Sequence, residues 1–473
     1  MAHMLAAPAQ THIGRAMRAL LLAGGLALSS TSALAQTAPP APAPSPIAFE
    51  QALLKAANDL FSKANLPAQP AKVRLVIDPL IDGATGAQSA ATRAIEQRIA
   101  ELVRTSHRRF EIRPFSAAAI AESPVVLVGT FTAINNAGDA GGPRDAYRIC
   151  LTLADLESKK IVSKGVARAR PEGIDTTPTA FFADSPAFIK DAATDAYVKT
   201  CQATRLGDAI DPAYVDGLQV AALVDDAIQA YNGKRYLDAL GHYERALRTP
   251  GGEQLRVLNG LYLTNWKLDR REAARESFER IVGYGVKADR LAVKFLFEPN
   301  AAQFTTDRET RLEYAMWVQE IAKGTVKSDK CLDVVGHTSA TGPAEVNDQL
   351  SLQRADYVKG RLQGSLPRVK ANRRFAAKGV GSRELLVGTG KDDASDFLDR
   401  RVEFKAVTCA GPVAEPAKIV KAAHSPKGGN GATARSKRNS VSSNDEVPGL
   451  PRSVRSEIQR YLGSGSLRDL LDD

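Results

Sequence analysis

Cysteine and histidine are scarce in this chain of 473 residues, with four of the first and six of the second. The histidines are scattered, and none has a second His or Cys at ligand spacing, so no zinc site or other metal centre is expected. There is no G-x-S-x-G elbow for a serine nucleophile. Gly379-x-Gly381 lacks a third glycine at the right distance. Gly388-Thr389-Gly390-Lys391 lacks both the earlier glycine and the hydroxyl residue after lysine that a phosphate loop needs. Neither an enzyme nor a cofactor is expected. No apolar run reaches the roughly 20 residues of a membrane helix, and no barrel-like series of alternating strands is visible, so membrane association is expected to be at most indirect. The formal charge of +10 favours anionic surroundings. No basic patch is interleaved with aromatics, and nucleic acid is not expected as a partner.

What is present is organised in blocks. Hydrophobic content of 44% and charge of 25% are ordinary for globular segments, and the length allows about two to four domains. Residues 1–35 read as a secretory signal: Arg15 and Arg18 precede the short apolar run Ala19 to Leu28, and Ala33-Leu34-Ala35 makes an A-x-A cleavage site before Gln36. No Cys follows the apolar run, so a lipid anchor is not expected. Residues 36–47 are an Ala/Pro-rich extended linker.

Residues 48–205 read as an α/β domain. Val73 to Ile77 is a strand. Ala90 to Arg104 is a helix with Ile95, Ile99 and Leu102 on one side. Phe110 to Ile112 is a short strand, Val125 to Phe131 and Tyr147 to Leu153 form a hairpin, and Ile161 to Ser163 adds an edge. That rhythm resembles the periplasmic domains of FlgO- and CsgG-like outer-membrane assembly proteins. An unassigned α+β partner-binding domain is the alternative. Residues 212–286 are helical, with helices near 216–231, 235–248, 254–267 and 271–283. Ala239-x-x-x-Tyr243-Glu244-Arg245 recurs 35 residues on as Ala274-x-x-x-Phe278-Glu279-Arg280. A small residue and an aromatic four apart, at a period of about 34, resemble tetratricopeptide repeats. The resemblance implies protein partners; a plain helical bundle is the alternative.

The most informative stretch is Gly336-His337-Thr338, then Gly342, Asn347 and Leu350-Ser351-x-x-Arg354-Ala355. Phe295-Leu296-Phe297 lies upstream. Gly379-Val380-Gly381-Ser382 and Arg400-Arg401-Val402-Glu403-Phe404 lie downstream. This order resembles the peptidoglycan-binding domain of the OmpA-like family, over residues 290–409. The resemblance implies a βαβαββ order: strand near 291–297, helix 308–322, strand 331–336, helix 346–363, strand 374–380 and strand 400–407. It also implies a ligand, the zwitterionic diaminopimelate residue of the stem peptide of peptidoglycan. The matched site residues are Thr338, Ser339, Asn347, Arg354, Arg400 and Arg401. Arg354 would take the ligand carboxylate by charge-assisted hydrogen bonds. Ser339 stands where the family has Asp, so the charge for the amine is missing there. Asp348 or Asp399 stands in, binding is weak, or the ligand differs. Neighbouring strand residues face opposite sides, so only one of Arg400 and Arg401 reaches the pocket. His337 is expected to orient the turn. In that fold the strand at 331–336 and the last strand should be antiparallel neighbours, which implies a Cys331–Cys409 disulfide; Cys150–Cys201 pairing or buried free thiols are both open.

Residues 410–449 are rich in Pro, Gly, Ser and Ala, with six Lys/Arg and no acid between Lys418 and Arg438; a disordered basic tail is expected. Residues 450–473 are expected to form short helices. The whole reads as an α+β multidomain, exported, periplasmic protein associated with the cell wall or outer membrane. It would anchor to peptidoglycan and scaffold protein partners. The alternative is an envelope assembly or secretion adaptor whose OmpA-like domain docks protein.

Overall fold

The structure is a computed structural model that describes residues 44–67, 72–139, 144–188, 190–298, 301–305, 307–371, 373–388, 390 and 398–409. The signal segment, most of the Ala/Pro-rich linker, the basic tail and the terminal helices expected from the sequence lie outside these residues.

The N-terminal part is built on a five-stranded sheet. Its strands are β1 (Val73–Ile77), β2 (Phe110–Arg113), β3 (Val125–Ile134), β4 (Ala146–Asp155) and β5 (Lys160–Ala169), in the order β2-β1-β3-β4-β5. β1 runs parallel to β2 and β3, and β3, β4 and β5 form an antiparallel meander. All ten residues of β3 are buried, because both faces of the sheet are covered. One face holds α1 (Phe49–Ser62) and α2 (Ala90–Ser106), with Leu53, Leu60, Ile95, Ile99 and Phe131 in its core. The other holds α5 (Ala192–Gln202) and the start of α6 (Pro212–Asn232), with Val126, Val128, Tyr197 and Leu218. Short helices α3 (Ala117–Ala121) and α4 (Ala180–Asp184) complete this part. α2 starts where a capping box says it should: Ser89 Oγ accepts from the Thr92 amide, and Thr92 Oγ1 accepts from the Ser89 amide.

The helical segment continues with α7 (Tyr236–Arg248), α8 (Leu255–Lys267) and α9 (Arg271–Lys287). Ala239, Tyr243, Ala274 and Phe278, the repeated small and aromatic residues, are all fully buried. The last part is β6 (Arg290–Val293), α10 (Arg308–Lys327), β7 (Cys331–Gly336), α11 (Ala344–Gly364), α12 (Arg368–Ala371), β8 (Phe375–Gly379) and β9 (Val402–Val407). The expected βαβαββ order is present. The sheet order is β6-β9-β7-β8, with β9 antiparallel to both neighbours and β7 parallel to β8.

One hydrophobic core runs through the helical segment and this sheet. Tyr231, Tyr243, Tyr262 and Phe278 belong to it together with Phe295, Trp317, Leu332, Val358 and Phe404. The N-terminal part also reaches the second sheet directly. Ala187 bridges Val293 in antiparallel fashion, and the Lys294 amide donates to the Pro186 carbonyl at 2.9 Å, so this segment extends the sheet beyond β6.

Cys331 and Cys409 form a disulfide, as the antiparallel pairing of β7 and β9 implies. Cys150 on β4 and Cys201 on α5 are unbonded buried thiols with their sulfurs 2.7 Å apart. No helix among the described residues is long and apolar enough to cross a membrane.

Candidate functional site

The site is assembled where α11 crosses the C-terminal ends of β7 and β8. Gly336 and Gly379 are register partners on those strands. A Cβ on Gly336 would sit 2.0 Å from the Ser351 carbonyl oxygen, and one on Gly379 would sit 2.6 Å from the Leu352 nitrogen. Both positions therefore need glycine for the helix to lie against the strands. Ser351, fully buried, ties the crossing together: its Oγ accepts from the Gly381 amide at 2.9 Å and donates to the Asp348 carbonyl at 2.9 Å. Much of the motif is thus explained by packing. The loop from His337 to Pro343 is pinned by the Thr338 amide on the Gly381 carbonyl at 3.0 Å. Asn347 Nδ2 donates to the Thr341 carbonyl at the same distance.

Thr338, Ser339, Asn347 and Arg354 are all buried. Arg354 Nε donates to the Ala301 carbonyl at 3.1 Å, and its guanidinium carbon lies 4.8 Å from the centre of the Phe297 ring. The two arginines after Asp399 part company. Arg400 is half-buried. Arg401 is 2% exposed, with Nε and Nη2 each 2.8 Å from Glu403 Oε1 and Nη2 donating to the Glu384 carbonyl at 3.2 Å. Its guanidinium is spent inside the domain.

Glu403 is the centre of that internal network. Burial alone would raise its pKa, but the Arg401 and Arg290 guanidiniums hold it down at about 2. Arg290 reaches Glu403 Oε1 at 3.1 Å. His337 Nε2 lies 4.0 Å from the same oxygen, and burial and Arg401 push its pKa down to about 3, so the ring is neutral. Neither His337 nitrogen has a hydrogen-bond partner among the described residues. This places His337 in the interior of the domain, under the turn. Glu403 was not singled out from the sequence; its place two residues after Arg401, on the same face of one strand, was the available signal.

The two acids named as stand-ins for the missing Asp are both committed elsewhere. Asp348 receives Arg383 Nη1 on both carboxylate oxygens, at 2.6 and 2.8 Å. Asp399, fully buried, accepts from the amides of Leu386, Val387 and Gly388 at 2.6 to 3.0 Å and so holds that loop. Arg144, next to the β3–β4 hairpin, donates to the Leu385 carbonyl at 3.3 Å, so the N-terminal part touches the same loop. Among the described residues no group of His, Cys, Asp and Glu could hold a metal ion.

Residues 296–397 match the family model for the OmpA family. Among solved structures, the periplasmic domain of MotB from Helicobacter pylori is 16% identical, with 26% of this chain and 76% of that one covered and a TM-score of 0.21. The peptidoglycan-associated lipoprotein of Burkholderia pseudomallei is 22% identical, with coverage of 24% and 88% and a TM-score of 0.20. The cell wall anchor of the T6SS from Pseudomonas aeruginosa is 22% identical, with coverage of 27% and 94% and a TM-score of 0.21. No curated protein matches the chain.

Proposed function

We propose, from the premise that residues 296–397 are an OmpA-like domain, that this protein binds peptidoglycan in the bacterial envelope and scaffolds protein partners there. The observation that carries the reading is Arg354. It is a buried guanidinium at the motif position for the carboxylate receptor, and Thr338, Ser339 and Asn347 are buried as well. A bidentate guanidinium–carboxylate pair in such a setting suits the free carboxylate of a diaminopimelate stem. Of the adjacent pair, Arg400 is the candidate for the pocket in this reading, because Arg401 is engaged with Glu403.

In this reading residues 48–205 are a partner-facing α/β domain of FlgO/CsgG-like type. Residues 212–286 are tetratricopeptide-like repeats, and residues 290–409 are the cell-wall receptor. Export by the segment 1–35 would deliver the chain to the periplasm, and the basic tail would add a loose contact with anionic polymer. The helical segment shares its core with the receptor, which fits two repeats standing where about three are usual. For the same reason the test uses the whole chain: cutting at 290 would bare apolar surface.

The test is co-sedimentation of the purified protein with sacculi. The wild type is expected in the pellet, and Arg354→Ala is expected to weaken binding by about tenfold or more, the cost of a charge-assisted hydrogen bond. Absence of pelleting by the wild type would sink the reading. A second reading, an assembly adaptor that docks protein, is favoured by one observation: Ser339 supplies no charge, while Asp348 and Asp399 are engaged elsewhere. Ser339→Asp separates the two. Tighter binding supports the cell-wall ligand, and no pelleting by either form supports the adaptor.

A further inference from the structure

The side chain that the proposed function depends on is held by residues well upstream of its own helix, Phe297 and Ala301. Residues 296–298 and 301–305 are tied to each other as the two sides of a turn. The Thr305 amide donates to the Leu296 carbonyl at 3.1 Å, Glu298 to Gln303 at 3.0 Å and Ala301 to Glu298 at 3.1 Å, and Phe297 bridges Phe304. Its base is fastened to α10, because the Leu296 amide donates to Tyr314 Oη at 2.8 Å. This turn presents two groups to Arg354: the Phe297 ring face and the Ala301 carbonyl. A ring beneath the guanidinium sets its plane, and a carbonyl on Nε sets its rotation within that plane. Together they fix the direction along which a carboxylate is received.

The turn is itself rooted in the helical segment. Phe297 packs on Phe304 at 5.5 Å between ring centres, and Phe304 stacks on Phe295 at 4.9 Å. Phe295 meets Trp317 at 5.8 Å, and Trp317 stacks on Phe278 of α9 at 5.4 Å. Trp317 Nε1 also donates to Tyr262 Oη of α8 at 2.8 Å. An unbroken series of rings therefore leads from the repeats to the receptor arginine.

We infer that Phe297 is a positioning residue for Arg354, setting the geometry in which the domain receives a carboxylate. The inference rests on the reading of Arg354 as that receptor. The experiment uses the full chain, with Phe297→Leu and Phe297→Tyr. Binding is measured by titration with a soluble muropeptide carrying a diaminopimelate stem. The Arg354 Nε–H signal is followed in parallel by arginine-labelled NMR. In the wild type this proton, bonded to a carbonyl and above a ring, is expected to be shifted by the ring current and to exchange slowly. Phe297→Leu keeps an apolar side chain but removes the ring; it is expected to erase that shift, speed the exchange and weaken binding about tenfold, in line with a partly desolvated cation–π contact. Phe297→Tyr restores the ring and is expected to match the wild type in both. An unchanged Arg354 signal in Phe297→Leu overturns the inference. So does equal loss in both variants, which would make Phe297 a packing residue only. A wild type that does not bind the muropeptide refutes the cell-wall reading, while the NMR comparison still decides whether Phe297 holds Arg354.

Discussion

Removing the Cys331–Cys409 crosslink is the most direct test of how the C-terminal sheet is held. The two residues are 78 apart in sequence. Closing a loop of that size removes about 15 cal/mol/K from the unfolded chain, or about 4.5 kcal/mol at 25 °C, in the chain-entropy account. The folded side of the balance is small here. Cys331 opens β7, and the bond sits just beyond a ladder of six register pairs running from Cys331↔Val407 to Gly336↔Val402. Those pairs remain after reduction, and replacing Cys409 by Ser opens no core cavity. Cys409→Ser is therefore expected to fold, and to lose about 3–5 kcal/mol. Guanidinium titration followed by tryptophan fluorescence measures it, since Trp317 is 2% exposed in the shared core. The unfolded state should also become less compact, with a steeper denaturant slope. A loss below about 1 kcal/mol would refute the argument. Cys150 and Cys201 are unbonded thiols, so reductant is expected to cost the wild type no more than the substitution does.

Two glycines in and beside α11 should respond in opposite directions. Gly336→Ala places a Cβ 2.0 Å from the Ser351 carbonyl and is expected to cost about 1–3 kcal/mol or more by denaturant titration. Gly360→Ala meets nothing within 4 Å on the exposed side of the helix and is expected to stabilise by about 0.5–1 kcal/mol. Asp78, buried and hydrogen bonded by Tyr214 at 2.7 Å, has its carboxyl raised by burial from 3.8 to about 7, so its stabilising share is present at acid pH and lost as pH rises through 7. Asp78→Asn is expected to flatten the fall in stability between about pH 4 and 7, by up to about 1.4 kcal/mol per pH unit in thermal or urea unfolding. Glu403 and His337 have the opposite dependence. Both are depressed, to about 2 and about 3, so their contribution is complete above 6.5 and drains away toward pH 2. Glu403→Gln leaves Arg401 buried without its counter-charge and is expected to cost about 3–5 kcal/mol at pH 7; a change under 1 kcal/mol would show the network to be dispensable.

Much of the fold is legible in the residues alone. The alternating and continuous apolar runs of β1, β3 and β4 fall where the strands are, and the repeat of Ala239/Tyr243 at Ala274/Phe278 falls on two buried helix faces. α1 was not assigned: it follows a proline-rich stretch, and its packing against β4 and β5 is a long-range contact with no local signature. The motif around Gly336 implied the strand and helix order through its family resemblance; that its glycines admit the crossing of α11 over β7 and β8 is visible only in the fold. The Cys331–Cys409 disulfide was implied by the resemblance to the OmpA-like fold and is present.

Partner choice was decided elsewhere. Arg400 and Arg401 are adjacent and chemically identical, yet only the pleat and the neighbour at Glu403 send Arg401 into the interior. Asp399 could serve a ligand as well as it serves the amides of Leu386 to Gly388 until the loop is folded over it. Phe297 became a partner of Arg354 only when a turn 57 residues earlier in the chain closed against α11. Helix and strand periodicity depend on contacts a few residues apart, so the sequence by itself determined them. Which charge meets which, and which arginine turns into the interior, depends on how whole elements pack, and that is set by tertiary structure.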